Sequence, residues 1–204
     1  MEVRTHAVTL VHGGTVLRPL TECDWPLLLR WNSDPEVLYF SEGDDVESYS
    51  LEDVQGIYRG VSQRAYCFVI EHEGLPIGDC WLQEMNLPRL IDRFPGRDLR
   101  RIDITIGEKP FWGRGLGSTS IALLTEYAFE EERADIVFGC DIADYNGRSF
   151  GAFQKVGFEV HERVHQKEGL KASYCYDVLL TRERYLLLLQ QGCYPLLGRS
   201  TDEP

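Results

Sequence analysis

The stretch RIDITIGEKPFWGRGLGSTS, from Arg101 to Ser120, constrains the fold more than any other part of the sequence. Its first residues alternate isoleucine with polar side chains, which is the period of a strand with two chemically different faces. Pro110 cannot donate a ladder hydrogen bond, so regular strand pairing should stop there. After it come three glycines and then apolar residues at helical spacing. The stretch therefore predicts a strand, a glycine-rich loop and a helix.

The glycine-rich loop is predicted to bind an anion. Glycines have no Cβ, so consecutive amide N–H groups can face a ligand that approaches closely. The helix that follows directs its positive end at the same place. Arg114 adds a fixed positive charge, and the hydroxyls of Ser118 and Thr119 add hydrogen-bond donors. A phosphate group is the ligand that suits this combination best.

Spacing separates the known types of phosphate-binding loop. The nucleoside triphosphate loop requires GxxxxGK[ST], and no lysine follows these glycines. The dinucleotide fingerprint requires GxGxxG, but the third glycine place is taken by Ser118. Neither type of loop fits this sequence.

The sequence GRGLG after an isoleucine-rich strand resembles the coenzyme A loop of the GNAT superfamily of N-acetyltransferases, usually written [QR]xxGx[GA]. Gly115 and Gly117 occupy the glycine places, and Trp112 stands at the Gln/Arg place. Such a loop binds mainly through main-chain amides. The resemblance implies acetyl-CoA as co-substrate, bound by Ile104, Thr105, Ile106, Trp112, Gly113, Arg114, Gly115, Leu116, Gly117, Ser118 and Thr119.

A second motif, NGRSFGAFQKVGF from Asn146 to Phe158, resembles the family pattern Nxx[AS]xxxYxKxGF. The resemblance implies that Asn146 hydrogen-bonds the cofactor arm and that Ser149 lines the same groove. The alternative is that Asn146 caps a helix and Ser149 is a small packing residue. Phe153 stands in this groove at the place of a tyrosine that often protonates the leaving thiolate. Water, another donor such as Tyr145, or unassisted departure of the thiolate would then be needed.

From Val16 to Tyr176 the chain looks most like the aminoglycoside 6′-N-acetyltransferases. The resemblance implies direct acetyl transfer to the 6′-amino group of a polycationic antibiotic, which confers resistance. It matches Asp103 to a strand carboxylate that acts as base or amine anchor, and Asp141 to a substrate-binding aspartate. The alternative for Asp103 is a structural ion pair with Arg101.

The formal charge of -12 disfavours nonspecific nucleic-acid binding and is compatible with a cationic small molecule. Acidity for solubility alone is the competing interpretation. The acidic and aromatic segment from Asn32 to Ser50 is predicted to be a long loop with room for a short helical turn. Its charges could line the substrate cleft or simply be solvated. The full set of predicted substrate residues is Tyr39, Phe40, Glu42, Asp44, Asp45, Asp103, Asp141 and Asp144.

Two further functions fit the sequence. The segment LRPLTECDWPLLLRW also resembles the ribosomal-protein N-terminal acetyltransferases, which would imply a peptide acceptor. A non-catalytic module that binds coenzyme A is the other possibility, and Phe153 is the residue that raises it.

The predicted order of elements gives an α/β fold: a mixed central sheet flanked by helices, whose central strands the family resemblance expects to splay apart. Residues 1–181 would form one acetyltransferase domain, followed by a C-terminal helix and tail at 182–204. No apolar run has membrane-spanning length and no signal-peptide core begins the chain, so we expect a cytoplasmic monomer or homodimer. The six cysteines show no metal-ligand spacing and are predicted to be small core residues.

Overall fold

In a computed structural model, which describes residues 2–42 and 46–194, the chain forms one eight-stranded sheet. The strands are β1 (Leu10–His12), β2 (Thr15–Pro19), β3 (Ala65–His72), β4 (Leu75–Glu84), β5 (Leu99–Ile106), β6 (Ile136–Ala143), β7 (Glu159–His165) and β8 (Tyr174–Thr181). Their order across the sheet is β1-β2-β3-β4-β5-β6-β8-β7. The pair β5 and β6 is parallel and the other neighbouring pairs are antiparallel. The predicted mixed sheet is confirmed.

Seven α-helices flank this sheet in the described ranges. They are α1 (Trp25–Trp31), α2 (Pro35–Ser41), α3 (Leu51–Val61), α4 (Pro88–Ile91), α5 (Leu116–Glu130), α6 (Gly147–Val156) and α7 (Arg182–Gln190). The strand, loop and helix predicted from the central stretch correspond to β5, a short 3-10 turn at Lys109–Phe111, and α5. None of the helices within the described ranges is both long and apolar enough to cross a membrane.

The segment from Asn32 to Ser50 was predicted as a long loop with room for a short helical turn, and its first half contains more helix than that, the seven-residue α2. Asp34 caps this helix by accepting hydrogen bonds from the amides of Glu36 and Val37. Pro35 suits the first helical position, where no amide donor is required. The sequence DPEVLYFS thus carries a normal N-terminal helix signal. Burial of Val37 and Leu38 then stabilises the helix.

The structure adds one strand that was not predicted and corrects one expectation. The short edge strand β1 was not predicted, and it pairs with β2 through the turn at Gly13 and Gly14. Four cysteines are buried as expected, but Cys23 and Cys193 are exposed. A three-residue strand and isolated surface thiols carry too little periodicity to be recognised in a sequence.

The strands β5 and β6 pair over a short distance only. Leu99 to Arg101 pair with Ile136 to Phe138, whereas β5 continues to Ile106 and β6 continues to Ala143. Further along β6, the register with β8 shifts between Gly139 and Ile142, which marks a bulge. The two central strands thus part after Arg101 and leave a gap in the middle of the sheet.

A carboxylate is buried beside this gap, on β4. Asp79 is 1% exposed, and the hydroxyl of Tyr58 donates to its Oδ2 at 2.8 Å. Its Oδ1 has no hydrogen-bond partner within the described part of the chain. Burial raises the pKa of Asp79 to about 7; the hydrogen bond from Tyr58 opposes this rise, and the charge of Asp103 adds to it.

We therefore expect Asp79→Asn to change the dependence of stability on pH. The pKa of Asp79 is higher in the folded than in the unfolded chain, so its stabilising contribution is greatest below about pH 4 and is lost as pH rises through 7. The variant lacks this loss. Between about pH 5 and pH 8, the raised pKa costs the wild type roughly 2–3 kcal/mol of unfolding free energy that Asp79→Asn does not lose.

Urea denaturation at the two pH values measures this difference. Asp92→Asn, an exposed carboxylate at the end of α4, is the control and should follow the wild type. Parallel pH profiles for wild type and Asp79→Asn would contradict a raised pKa at Asp79.

Candidate active site

The loop before α5 leaves several backbone amides without a partner. Gly115 caps the helix with φ 84° and ψ −4°, a left-handed conformation that favours glycine. After Trp112, the next amide that donates to a backbone carbonyl is that of Thr119, which donates to Gly115 at 3.0 Å. Across residues 113–118, no amide has a hydrogen-bond acceptor in the portion of the chain that the structure describes. These donors sit at the positive end of a helix of fifteen residues, which suits an anion.

A groove of about 290 Å³ runs along this loop, the end of β5 and the start of α6. Eleven of the predicted cofactor residues line it: Ile104, Thr105, Ile106, Trp112, Gly113, Gly115, Leu116, Gly117, Ser118, Asn146 and Ser149. The other three predicted cofactor residues do not line it: Arg114 and Thr119 line neither cavity, and Phe153 lines only a smaller one beside the groove. The guanidinium of Arg114 lies 5.0 Å from the ring centre of Phe111, and the Thr119 hydroxyl donates to the Gly115 carbonyl.

A smaller cavity of about 70 Å³ adjoins the groove at the gap between β5 and β6. Asp103 and Asp141 line it from the two strands, and Phe153 lines it from α6. The two cavities share five lining residues: Phe40, Ser41, Ile104, Asn146 and Ser149. A loop that suits an anion and a cavity that carries two carboxylates therefore meet at the gap in the sheet.

Asp103 is held by hydrogen bonds on both of its oxygens. Its Oδ1 accepts from Nε and Nη2 of Arg101 at 3.1 and 2.6 Å. Its Oδ2 accepts from the Trp81 indole at 2.9 Å and from the Gln83 amide at 3.0 Å. The ion pair with Arg101 that the sequence left open is thus present. The carboxylate still reaches the cavity, with 19% of its side chain exposed.

Asp141 lies in the β6 bulge and has φ 55°, a conformation that non-glycine residues rarely adopt. Its amide donates to Oδ1 of Asp177 at 3.0 Å, which fixes the bulge. Its own Oδ1 accepts from Nη2 of Arg89 at 2.9 Å, and its Oδ2 lies 3.8 Å from Nη1 of Arg101. The two predicted substrate carboxylates are therefore joined through one arginine.

The other predicted substrate residues surround the smaller cavity without all lining it. Phe40 lines it, whereas Tyr39, Glu42 and Asp144 do not. The ring of Tyr39 packs 4.9 Å from that of Tyr145, whose hydroxyl donates to the Glu42 carbonyl at 3.1 Å. Asp144 accepts from the amide of Ser173 at 3.2 Å. The predictions at Asp44 and Asp45 lie outside the described residues.

Asn146 is engaged within the protein through both ends of its side-chain amide. Its Oδ1 caps α6 by accepting from the Ser149 amide at 3.1 Å, and its Nδ2 donates to the Phe40 carbonyl at 2.6 Å. Phe153 is 2% exposed, and its ring lies so close to Gly139 that a Cβ there would be 2.6 Å from it. The phenyl ring supplies no proton, so the candidate site has no hydroxyl at this position.

Sequence reasoning missed Arg148 as a residue of the groove. Its guanidinium lies between two rings, 4.1 Å from the centre of Phe40 and 4.0 Å from that of Trp112. The indole of Trp112 in turn donates to the Ile106 carbonyl at 2.6 Å, which gives this residue a structural role at the Gln/Arg place of the family pattern. Arg148 and Lys155 follow helical spacing on the face of α6 that lines the groove, and this period was the available signal.

Cys140 is a potential nucleophile in the wall of the smaller cavity. Burial raises the pKa of its thiol well above the ordinary range, and the charge of Asp177 raises it further. A neutral, buried thiol is a poor nucleophile. Cys140 is therefore poorly suited to form a covalent intermediate in this cavity.

Residues 15–159 match the family model described as an acetyltransferase (GNAT) domain, and the chain belongs to this family. Solved structures of similar fold include aminoglycoside acetyltransferase AAC(6′)-Ib in complex with ribostamycin and coenzyme A. That match has a TM-score of 0.71 and 20% identity, and it covers 94% of this chain and 100% of the other.

Another is spermidine N-acetyltransferase from Vibrio cholerae in complex with coenzyme A and spermine. It has a TM-score of 0.68 and 18% identity, and the match covers 86% of this chain and 99% of the other. A GNAT-family acetyltransferase from Bacillus anthracis matches over the same shares of the two chains, with a TM-score of 0.67 and 15% identity.

We expect Gly115→Ala to destabilise the protein through its backbone alone. No atom lies within 4 Å of the added Cβ, but φ 84° is a strained conformation for alanine. The free energy of unfolding should fall by about 1–2 kcal/mol. Gly56→Ala, in the exposed middle of α3, is the matched control and should raise it by about 0.5–1 kcal/mol. Equal effects in urea denaturation would contradict a strained turn at Gly115.

Proposed function

We propose that this protein acetylates a primary amine on a polycationic small molecule, with acetyl-CoA as acetyl donor and the 6′-amino group of an aminoglycoside as acceptor. Such an enzyme would confer resistance to the antibiotic that it modifies. The observation that carries the proposal is the meeting of the two cavities at the gap between β5 and β6. One of them suits a diphosphate, and the other holds two carboxylates.

The groove fits the co-substrate by an independent observation, the row of unpartnered amides at residues 113–118. These amides would hold the diphosphate of coenzyme A, since main-chain donors at a helix N-terminus favour that charge. Arg148 and Lys155 line the same groove and would neutralise phosphate charge. Bound acetyl-CoA supplies a thioester, whose carbonyl carbon is the electrophile.

The smaller cavity would receive the amine. Asp103 and Asp141 line it from opposite sides of the gap, and carboxylates form strong charge-assisted hydrogen bonds with ammonium groups. The reacting amine must lose a proton before it attacks. Asp103 would accept this proton, directly or through a water molecule, or anchor the amine beside the thioester.

In the transfer step, the amine nitrogen forms a bond to the thioester carbon, the bond from that carbon to sulfur breaks, and the thiolate leaves. Backbone amides of β5 near Ile104 to Ile106, where β6 no longer pairs, would polarise the carbonyl oxygen. Phe153 cannot protonate the thiolate. Water would serve instead, because the Tyr145 hydroxyl is directed to the Glu42 carbonyl.

Two considerations support a polycation as acceptor. The chain carries a formal charge of -12, which raises the local concentration of cations. The enzymes of similar fold described above include one crystallised with an aminoglycoside and one crystallised with spermine. Because the second of these is a polyamine, spermidine-like amines are a second candidate acceptor of the same chemical class.

We expect Asp103→Asn to lower turnover at least ~10-fold, because asparagine cannot accept the proton and the general-base contribution is lost. Asp98→Asn is the control, since Asp98 pairs with Arg100 two residues away at 2.6 Å, as Asp103 pairs with Arg101. Steady-state kinetics with a fixed amine should show the loss in the first variant only. Normal turnover in Asp103→Asn would remove this residue from the chemistry.

Thiol release from acetyl-CoA, measured against aminoglycosides, diamines and peptide N-termini, tests the proposed acceptor. We expect release with the polycations, because only these offer several ammonium groups to the carboxylates. Acetylation of peptides alone would select the N-terminal acetyltransferase alternative. Binding of acetyl-CoA without release in the presence of any amine would select a non-catalytic module.

A further inference from the structure

A cation of the protein's own, Arg89 on α4, contacts one of the two carboxylates that line the smaller cavity. Arg89 places Nη2 2.9 Å from Oδ1 of Asp141, the carboxylate in the β6 bulge. The same guanidinium makes three hydrogen bonds to Asp177 on β8, at 2.9, 3.1 and 3.2 Å. Arg89 thus bridges one exposed and one buried carboxylate, with side-chain exposures of 41% and 0%.

The two halves of this bridge are not equivalent. Asp177 is completely buried and depends on Arg89 and the amide of Asp141 for its hydrogen bonds. A buried carboxylate without its partner is costly, so the pairing with Asp177 fixes Arg89 in place. The contact with Asp141 is a single hydrogen bond at an exposed carboxylate, and contacts of this kind contribute little to stability. Arg89 can therefore release Asp141 while it remains bound to Asp177.

We propose that Arg89 acts as an internal competitor of the acceptor: its guanidinium takes the place at Asp141 that an acceptor ammonium group must occupy. This inference rests on the proposed function, because it assigns Asp141 to the amine. In this scheme Arg89 sets the KM of the acceptor and takes no part in the chemistry.

Such a competitor raises the intrinsic affinity that any acceptor needs, and polyvalent acceptors meet this requirement most readily. A monoamine that displaces Arg89 exchanges one charge-assisted hydrogen bond for another and gains little. A polyamine makes the same exchange but brings further cationic groups for other carboxylates, such as Asp103 in the same cavity. Because this cost is the same for every acceptor, it leaves the ratios of their affinities unchanged and raises every KM. Only acceptors that gain affinity from several cationic groups then still bind at low concentration.

The double variant Arg89→Met/Asp177→Asn tests the proposal. It removes the competitor without leaving a charge buried at Asp177, and it preserves the formal charge. Arg93→Met/Glu162→Gln is the matched control, because it removes a neighbouring ion pair of 2.7 Å with no contact to Asp141. The probes are spermine, kanamycin and butylamine, with acetyl-CoA as donor. Urea denaturation of both double variants establishes that they are folded.

We expect KM for spermine and kanamycin to fall about 10-fold in the first double variant, with KM for acetyl-CoA unchanged. KM for butylamine should fall by a similar factor, so the ratio of kcat/KM for spermine to that for butylamine should stay within about 2-fold of the wild type. The control should behave as the wild type. Calorimetric titration with spermine in the absence of acetyl-CoA should show the same gain in affinity, which a purely structural role of Arg89 would not produce.

An unchanged or raised KM for the polycations, with thiol release intact, would overturn the inference and leave the proposed function standing. Tighter calorimetric binding of spermine without thiol release from any amine would support the inference and reject the proposed function. Absence of spermine binding in both the wild type and the variant would overturn the inference, since no cation would then displace Arg89.

Discussion

The candidate site depends on one structural event, the parting of β5 and β6 after Arg101. In an ordinary parallel pair the ladder would continue and fill this space with backbone hydrogen bonds. Here the ring of Phe153 packs against Gly139, and a bulge at Asp141 turns β6 away. The gap gives the anion groove and the carboxylate cavity a common wall, and it leaves β5 backbone groups available to a ligand.

The electrostatics of the gap follow from its arginines as much as from its carboxylates. Arg101 binds Asp103 and approaches Asp141, while Arg89 binds Asp141 and Asp177. Three carboxylates and two guanidinium groups form a continuous chain across the ends of the strands. Each carboxylate has a guanidinium partner, so the network is a polarised surface with a small excess of negative charge. A cationic acceptor has to compete within this network.

The features that could be predicted from the sequence are those that local periodicity and turn chemistry determine. The strand before the glycines and the helix after them were recognisable because their patterns lie within a few residues. The contacts of Arg148 and Arg89 were not recognisable, because their partners are distant in the chain. Arg148 contacts Phe40, and Arg89 contacts Asp177. For Asp103 the sequence left two alternatives open, an ion pair with Arg101 and a catalytic role. The structure contains the ion pair.

Trp112 departs from the family pattern, which has Gln or Arg at its place, and its contacts give a structural reason for the departure. These contacts lead to the helix α2. Its last turn is tied to α6 by the hydrogen bond from Asn146 to the Phe40 carbonyl and by the guanidinium of Arg148 on the Phe40 ring. Trp112 provides the second face for that guanidinium, which a shorter polar residue could not. Because Phe40 lines both cavities, this stack fixes the position of their shared wall. The tryptophan in the glycine loop is thus coupled to the shape of the site through Arg148.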